Sequence, residues 1–136
     1  MQWILVLALA FDLAAVKSEP NLEKRSDRAL DNANLALDGA RDAYNRGEYE
    51  QSEAQLEEVG ASVDLAWDSL AQTGKDPRRS PRFFKRAEMR TRELLRRLEG
   101  LRDTMSFSDR GALDKIHERV SAIHDNLLQG IMSKRK

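Results

Sequence analysis

This chain of 136 residues contains two histidines, His117 and His124, and no cysteine, so any catalytic or metal chemistry must come from imidazole, carboxylate and hydroxyl groups. The histidines stand seven positions apart. On a helix that puts them on one edge, about 10 Å apart along the axis, too far to chelate one ion together. Metal ligation would need i,i+3 or i,i+4 spacing, or partners from other helices. Asp114-x-x-His117 has the form of half a carboxylate-bridged metal motif, but helical metal sites draw matching sets from several inward-facing helices, and no second copy occurs. Because Ile116 and Ile123 are their neighbours, both histidines are expected at the edge of a core. There they would be weak pH-sensing candidates, a role that unchanged thermal stability between about pH 5 and 8 would exclude. Met89, Met105 and Met132 could in principle face a histidine across a haem, yet methionine at helical spacing ordinarily fills core gaps, and a Cys-x-x-Cys-His attachment is impossible here. No phosphate-cradling glycine loop or nucleophile elbow is present. The expectation is a non-enzymatic protein without metal or cofactor.

Charge carries more information, because a formal net charge of zero hides a division. Residues 19–75 hold 13 acids against 6 bases, a net of −7, and residues 76–136 hold 9 acids against 16 bases, a net of +7. The bases concentrate at Arg82, Lys85, Arg86, Arg90, Arg92, Arg96, Arg97 and Arg102. Of these, Arg82, Lys85, Arg86, Arg90, Arg96 and Arg97 form the candidate interaction surface. Glu50, Glu57 and Asp64 make a candidate acidic face at helical spacing. Local Glu88 to Arg92 and Glu93 to Arg97 pairs would each add about 0.2–0.5 kcal/mol. Three readings compete: complementary surfaces within one molecule, an arginine face for an anionic partner, and self-association of the acidic half on the basic half. Nucleic acid is disfavoured by the neutral total and by the lack of aromatics interleaved with the arginines.

The elements that would position these groups are helices. Apolar residues recur at Phe84, Ala87, Leu94, Leu98, Leu101 and Met105, then at Leu113, Ile116, Val120, Ile123, Leu127 and Ile131, two stripes of helical period separated only by residues 106–112. The second must fold back on the first. Upstream, Leu22, Ala29, Ala33, Ala36, Leu37, Ala40, Ala43 and Tyr44 mark one helix and Tyr49, Ser52, Leu56, Val59, Val63, Ala66, Trp67 and Leu70 the next, with Gly47 at the C-cap between them. Ser80-Pro81 predicts a hydroxyl-capped start for the third helix, and Ser106 or Ser108 a start for the fourth. Gly39, Gly60 and Gly100 lie within helices, where each costs about 1 kcal/mol against alanine, so close helix contact is expected at all three. The fold class is all-α: an antiparallel up-down four-helix bundle made of two long helical hairpins, 20–74 and 81–133, joined by a linker at 75–80. Two hairpins stacked as repeats are the alternative.

Residues 3–11 form an unbroken apolar run, followed by Asp12, small residues and Lys17-Ser18. This is the layout of a secretory signal over residues 1–18 with Ala15 or Ser18 before the cut, leaving 19–136 as the domain. The run is too short to span a bilayer, which takes about 20 apolar residues. A secreted or periplasmic location is expected, against the alternative of a buried first segment in a cytosolic domain; Lys24-Arg25 and Arg78-Arg79 are dibasic.

Ala43-Tyr44-Asn45-Arg46-Gly47-Glu48-Tyr49, followed by Leu56 and Val59, resembles the helical turn of a tetratricopeptide repeat. Ser52 stands where that family usually has alanine, and the flanking helices are about twice the family's usual length. The resemblance covers residues 43–59 and implies hairpin geometry and a protein-interaction role. The expected partners are therefore a protein or an anionic surface, with a homo-oligomer as a further option. A metal- or haem-carrying bundle and a nucleic-acid binder using the arginine-rich helix are the alternatives.

Overall fold

The computed structural model describes residues 13–133; the apolar run at 3–11 lies outside them. Four long helices pack together: α1 (Leu22–Asn45), α2 (Tyr49–Gln72), α3 (Pro81–Thr104) and α4 (Gly111–Met132). A 3-10 turn, Phe107–Asp109, precedes α4, and residues 13–17 are also helical. No strand occurs among the described residues.

Local sequence explains most of the boundaries. Asn21 caps α1, its Oδ1 accepting the Lys24 N–H at 2.9 Å, so the helix starts between the expected Pro20 and Ser26. Gly47 and Gly74 end α1 and α2 at φ of +76° and +68°, a conformation that glycine adopts without a Cβ penalty. Pro81 occupies the first turn of α3 as expected, but the Ser80 side chain makes no cap bond. The fourth helix starts at Gly111, later than Ser106 or Ser108. The Ser106 hydroxyl donates to Asp109 Oδ2 at 2.6 Å instead of capping, and the intervening residues wind into the tighter turn, since short polar side chains compete with helix in this way.

Within each hairpin the helices run antiparallel. Arg25 meets Ser69, Asn32 meets Ser62 and Ser52 meets the Ala40 carbonyl, so α1 numbers rise as α2 numbers fall. Glu88 meets His124 and Arg102 meets Asp114 in the same sense on α3 and α4. Between the hairpins like-directed helices lie together. Arg86 reaches Asp27, Arg90 reaches Asp27 and Asp31, and Arg97 reaches Asn34 and Asp38, numbers rising in step along α1 and α3. Arg119 on α4 likewise spans Glu57 and Asp64 on α2.

All of the apolar stripe of α3 and that of α4 as far as Leu127 is buried, with Ile131 partly so. The α1 wall is built largely of alanine, Ala29, Ala33, Ala36, Ala40 and Ala43 being fully inaccessible. Such small side chains let α2 approach closely. Leu30 and Asn32, outside the predicted stripe, are buried too, and Asn32 spends its amide on Ser62 Oγ (2.9 Å) and Glu58 Oε2 (3.0 Å). Tyr49, predicted inside, is 51% exposed. Met105 fills core, whereas Met89 and Met132 are on the surface at 58% and 70%. Leu13 and Val16 are buried, and Val16 joins the main cluster; the Lys17 carbonyl accepts from Arg25 Nη1 at 3.3 Å.

Two of the three interior glycines sit at close contacts. A Cβ on Gly39 would overlap the Gln55 carboxamide, and one on Gly60 would lie 2.7 Å from Arg119 Nη1 and 3.1 Å from Ile116 Cδ1. Gly100 departs from expectation: a Cβ there meets nothing within 4 Å.

Candidate interaction site

The predicted arginine surface divides into two sets. Arg86, Arg90 and Arg97 turn toward α1, where Arg86 Nε donates to Asp27 Oδ1 at 2.8 Å and Arg90 Nη2 to Asp31 Oδ1 at 2.5 Å. Arg97 bonds Asn34 Oδ1 at 2.7 Å and pairs with Asp38. These guanidiniums form the α1/α3 seam. Arg82, Lys85 and Arg96 face outward; Arg82 lies 5.4 Å from the Phe83 ring centroid and Arg96 pairs with Glu93. Because Arg97 is drawn to α1, the anticipated Glu93–Arg97 pair does not form, while Glu88–Arg92 does, at 2.7 and 2.9 Å. Of the acidic row, Glu57 and Asp64 are bridged by Arg119, and Glu50 stays exposed. Nothing in the spacing of α2 alone pointed to Arg119, whose partners are 55 and 62 residues away. Arg119 is consequently held more firmly protonated than usual, chiefly by its hydrogen bond to Asp64.

The histidines lie on the α3/α4 contact. His124 Nε2 is 2.7 Å from Glu88 Oε2, and both groups are largely enclosed, with side chains 14% and 9% exposed. Arg92 grips both Glu88 oxygens, and this bond, followed by that of His124, holds the Glu88 carboxyl below its usual range against the opposing push of burial. His117 Nε2 is 3.3 Å from Glu99 Oε1 without the angle of a hydrogen bond. Each imidazole thus meets one carboxylate of α3 at close range, with Asp125 3.9 Å from His124 Nδ1. Among the described residues no group of three or more His, Asp or Glu side chains is arranged to hold a metal.

Two of the surface depressions bear on the candidate surfaces. The first, about 180 Å³, lies where the α1–α2 turn meets the α3–α4 turn, and Tyr44, Tyr49, Glu53, Leu56, Met105 and Asp109 line it. Tyr44 and Tyr49 sit 5.1 Å apart with planes tilted 44°. The Tyr44 hydroxyl donates to Asp109 Oδ2 at 2.9 Å and accepts the Ser106 N–H at 3.0 Å, tying the two turns together. Asp109 is kept ionised more readily than an ordinary carboxyl, first by Ser106 and then by Tyr44. Phe107, in the 3-10 turn that supplies Ser108 and Asp109 to the cleft, is 85% exposed. Aromatics make only 6% of the chain, so three at one end is a local concentration that sequence spacing could not reveal. The second depression, about 320 Å³, is a groove between α1 and α3 with Leu37 and Leu101 on its floor and Arg41 and Arg97 at its mouth; the missing side chain of Gly100 widens it. Both arginines contact the single carboxylate of Asp38.

No helix among the described residues is long and apolar enough to cross a membrane. Comparison of the chain with protein-family models, with curated proteins and with solved structures finds no match to any of them.

Proposed function

We propose that the protein is an exported, non-enzymatic interaction module and that it meets a protein partner with the end formed by the two hairpin turns. The observation that carries this is the exposure of Tyr49 at the wall of a cleft lined also by Leu56 and Met105, and of Phe107 in the 3-10 turn that borders the same cleft through Ser108 and Asp109. Exposed large aromatics around a partly apolar depression with a polar rim are the usual composition of a contact hot spot. The arginines of the α1/α3 seam are engaged internally, which favours this end over the basic face as the working surface. The like-on-like pairing of α1 with α3 and α2 with α4 favours two stacked hairpins over a closed up-down bundle, in keeping with the tetratricopeptide-like turn.

A photo-crosslinking residue placed in turn at Tyr49, Phe107, Arg82 and Arg96, with the protein in its native compartment, tests the reading. Adducts from positions 49 and 107 are expected. Adducts confined to positions 82 and 96, or none at all, would refute it.

A second reading rests on the α1/α3 groove. Two guanidiniums share one carboxylate there, leaving a local excess of positive charge above an apolar floor. An anionic partner bearing an apolar side chain suits that mouth, and its binding would weaken on Arg41→Ala.

A further inference from the structure

From the chemistry of the cleft between the two turns we infer that the partner segment held there presents a cationic side chain, lysine or arginine, to Tyr49, Glu53 and Asp109. The inference rests on the reading of this end as the contact surface and adds the identity of the group that enters it. Tyr49 and Glu53 are one helical turn apart on α2, so ring and carboxylate line the same side of the cleft. Asp109 closes the opposite side from the 3-10 turn. An ammonium or guanidinium seated between them would lie against an electron-rich ring and within reach of two carboxylates. Neither Glu53 nor Glu50, the next acid along the rim, has an ion pair among the described residues, unlike Glu48, Glu57 and Asp64, which are engaged by Arg46 and Arg119. Asp109 has its charge favoured by Ser106 and Tyr44 and forms no ion pair among the described residues. The cleft therefore combines apolar floor, aromatic wall and unspent negative charge, the complement of a basic residue with an apolar stem.

The test titrates three capped hexapeptides into the isotope-labelled full chain at low salt. They are identical except for a central lysine, norleucine or glutamate, and amide shifts are followed by NMR. The lysine peptide should shift residues around Tyr49, Glu53 and Asp109 and bind at least threefold more tightly than the norleucine peptide, with the glutamate peptide weakest. The advantage of lysine should disappear in Glu53→Gln, at an exposed position, and fall in Tyr49→Ala, with the amide spectrum of each variant read first to establish that its fold is kept. Equal binding of lysine and norleucine peptides at this end would overturn the cationic assignment and leave the end standing as a contact surface. Preference for glutamate would also overturn it. If no peptide perturbs this end, both the assignment and the surface on which it rests are refuted.

Discussion

Alanine at Gly60 and alanine at Gly100 should move stability in opposite directions, although both fill a glycine within a helix. In a helix interior the change from glycine to alanine is worth about 1 kcal/mol in favour of the folded state through backbone entropy. At Gly100 the added methyl meets nothing within 4 Å, so the full gain should appear. At Gly60 the same methyl would stand 2.7 Å from Arg119 Nη1 and 3.1 Å from Ile116 Cδ1. Arg119 would have to withdraw from Asp64 and Glu57, and Ile116, 4% exposed, has no room to yield. Overpacking of this kind costs about 1–3 kcal/mol, and the exposed part of the ion pairing adds less than about 1 kcal/mol. The net expectation for Gly60→Ala is a loss of up to about 3 kcal/mol, with no gain. Urea denaturation followed by circular dichroism at 222 nm would read both variants, supported by melting points that move about 3–5 °C per kcal/mol for a domain of this size. A stabilised Gly60→Ala would refute the close approach of α2 and α4. A destabilised Gly100→Ala would show that the α1/α3 groove is closed by a contact at that position.

Glu88→Gln should flatten the acid limb of the stability curve. A carboxyl whose folded pKa is lowered contributes stability above its unfolded value that is lost as pH falls through the folded one, so the difference from wild type should narrow below pH 4.5. Tyr44→Phe removes a hydroxyl that both donates and accepts between the two turns, and should cost about 1–2 kcal/mol by chemical denaturation while leaving the helical signal intact. Val16→Asp should destabilise by about 2–4 kcal/mol, because Val16 is 5% exposed within the core cluster.

What could be read in advance follows from the range of the physics. The stripes through Phe84–Met105 and Leu113–Leu127 are local periodicities, and burial honours them almost residue by residue. Gly47 and Pro81 acted through their own backbone geometry and were equally legible. The seams were not, because Arg119 with Asp64 or Arg97 with Asp38 joins residues more than fifty positions apart, whereas an i,i+4 rule sees only Glu93 as the partner of Arg97. Ser80 and Ser106 had the right chemistry for caps, but the Ser106 hydroxyl found Asp109 first and the Ser80 side chain makes no cap bond. Tyr49 fitted the helical stripe and is half outside it, since it opens the first turn of α2 at the end of the hairpin, where its ring packs on Tyr44 and borders the cleft rather than the core. The interaction end is assembled from two turns distant in sequence, so no local pattern announces it.

Residues 73–80, which carry the chain from one hairpin to the other, make few bonds beyond their own turn, apart from Lys75 Nζ to Glu23 Oε2 at 3.1 Å and the packing of Pro77 on Gly130. Most of their work is that of a tether. By keeping a negatively charged half beside a positively charged half, the link supplies an effective concentration in the millimolar range or above, so pairings individually too weak to unite separate pieces can hold them when joined.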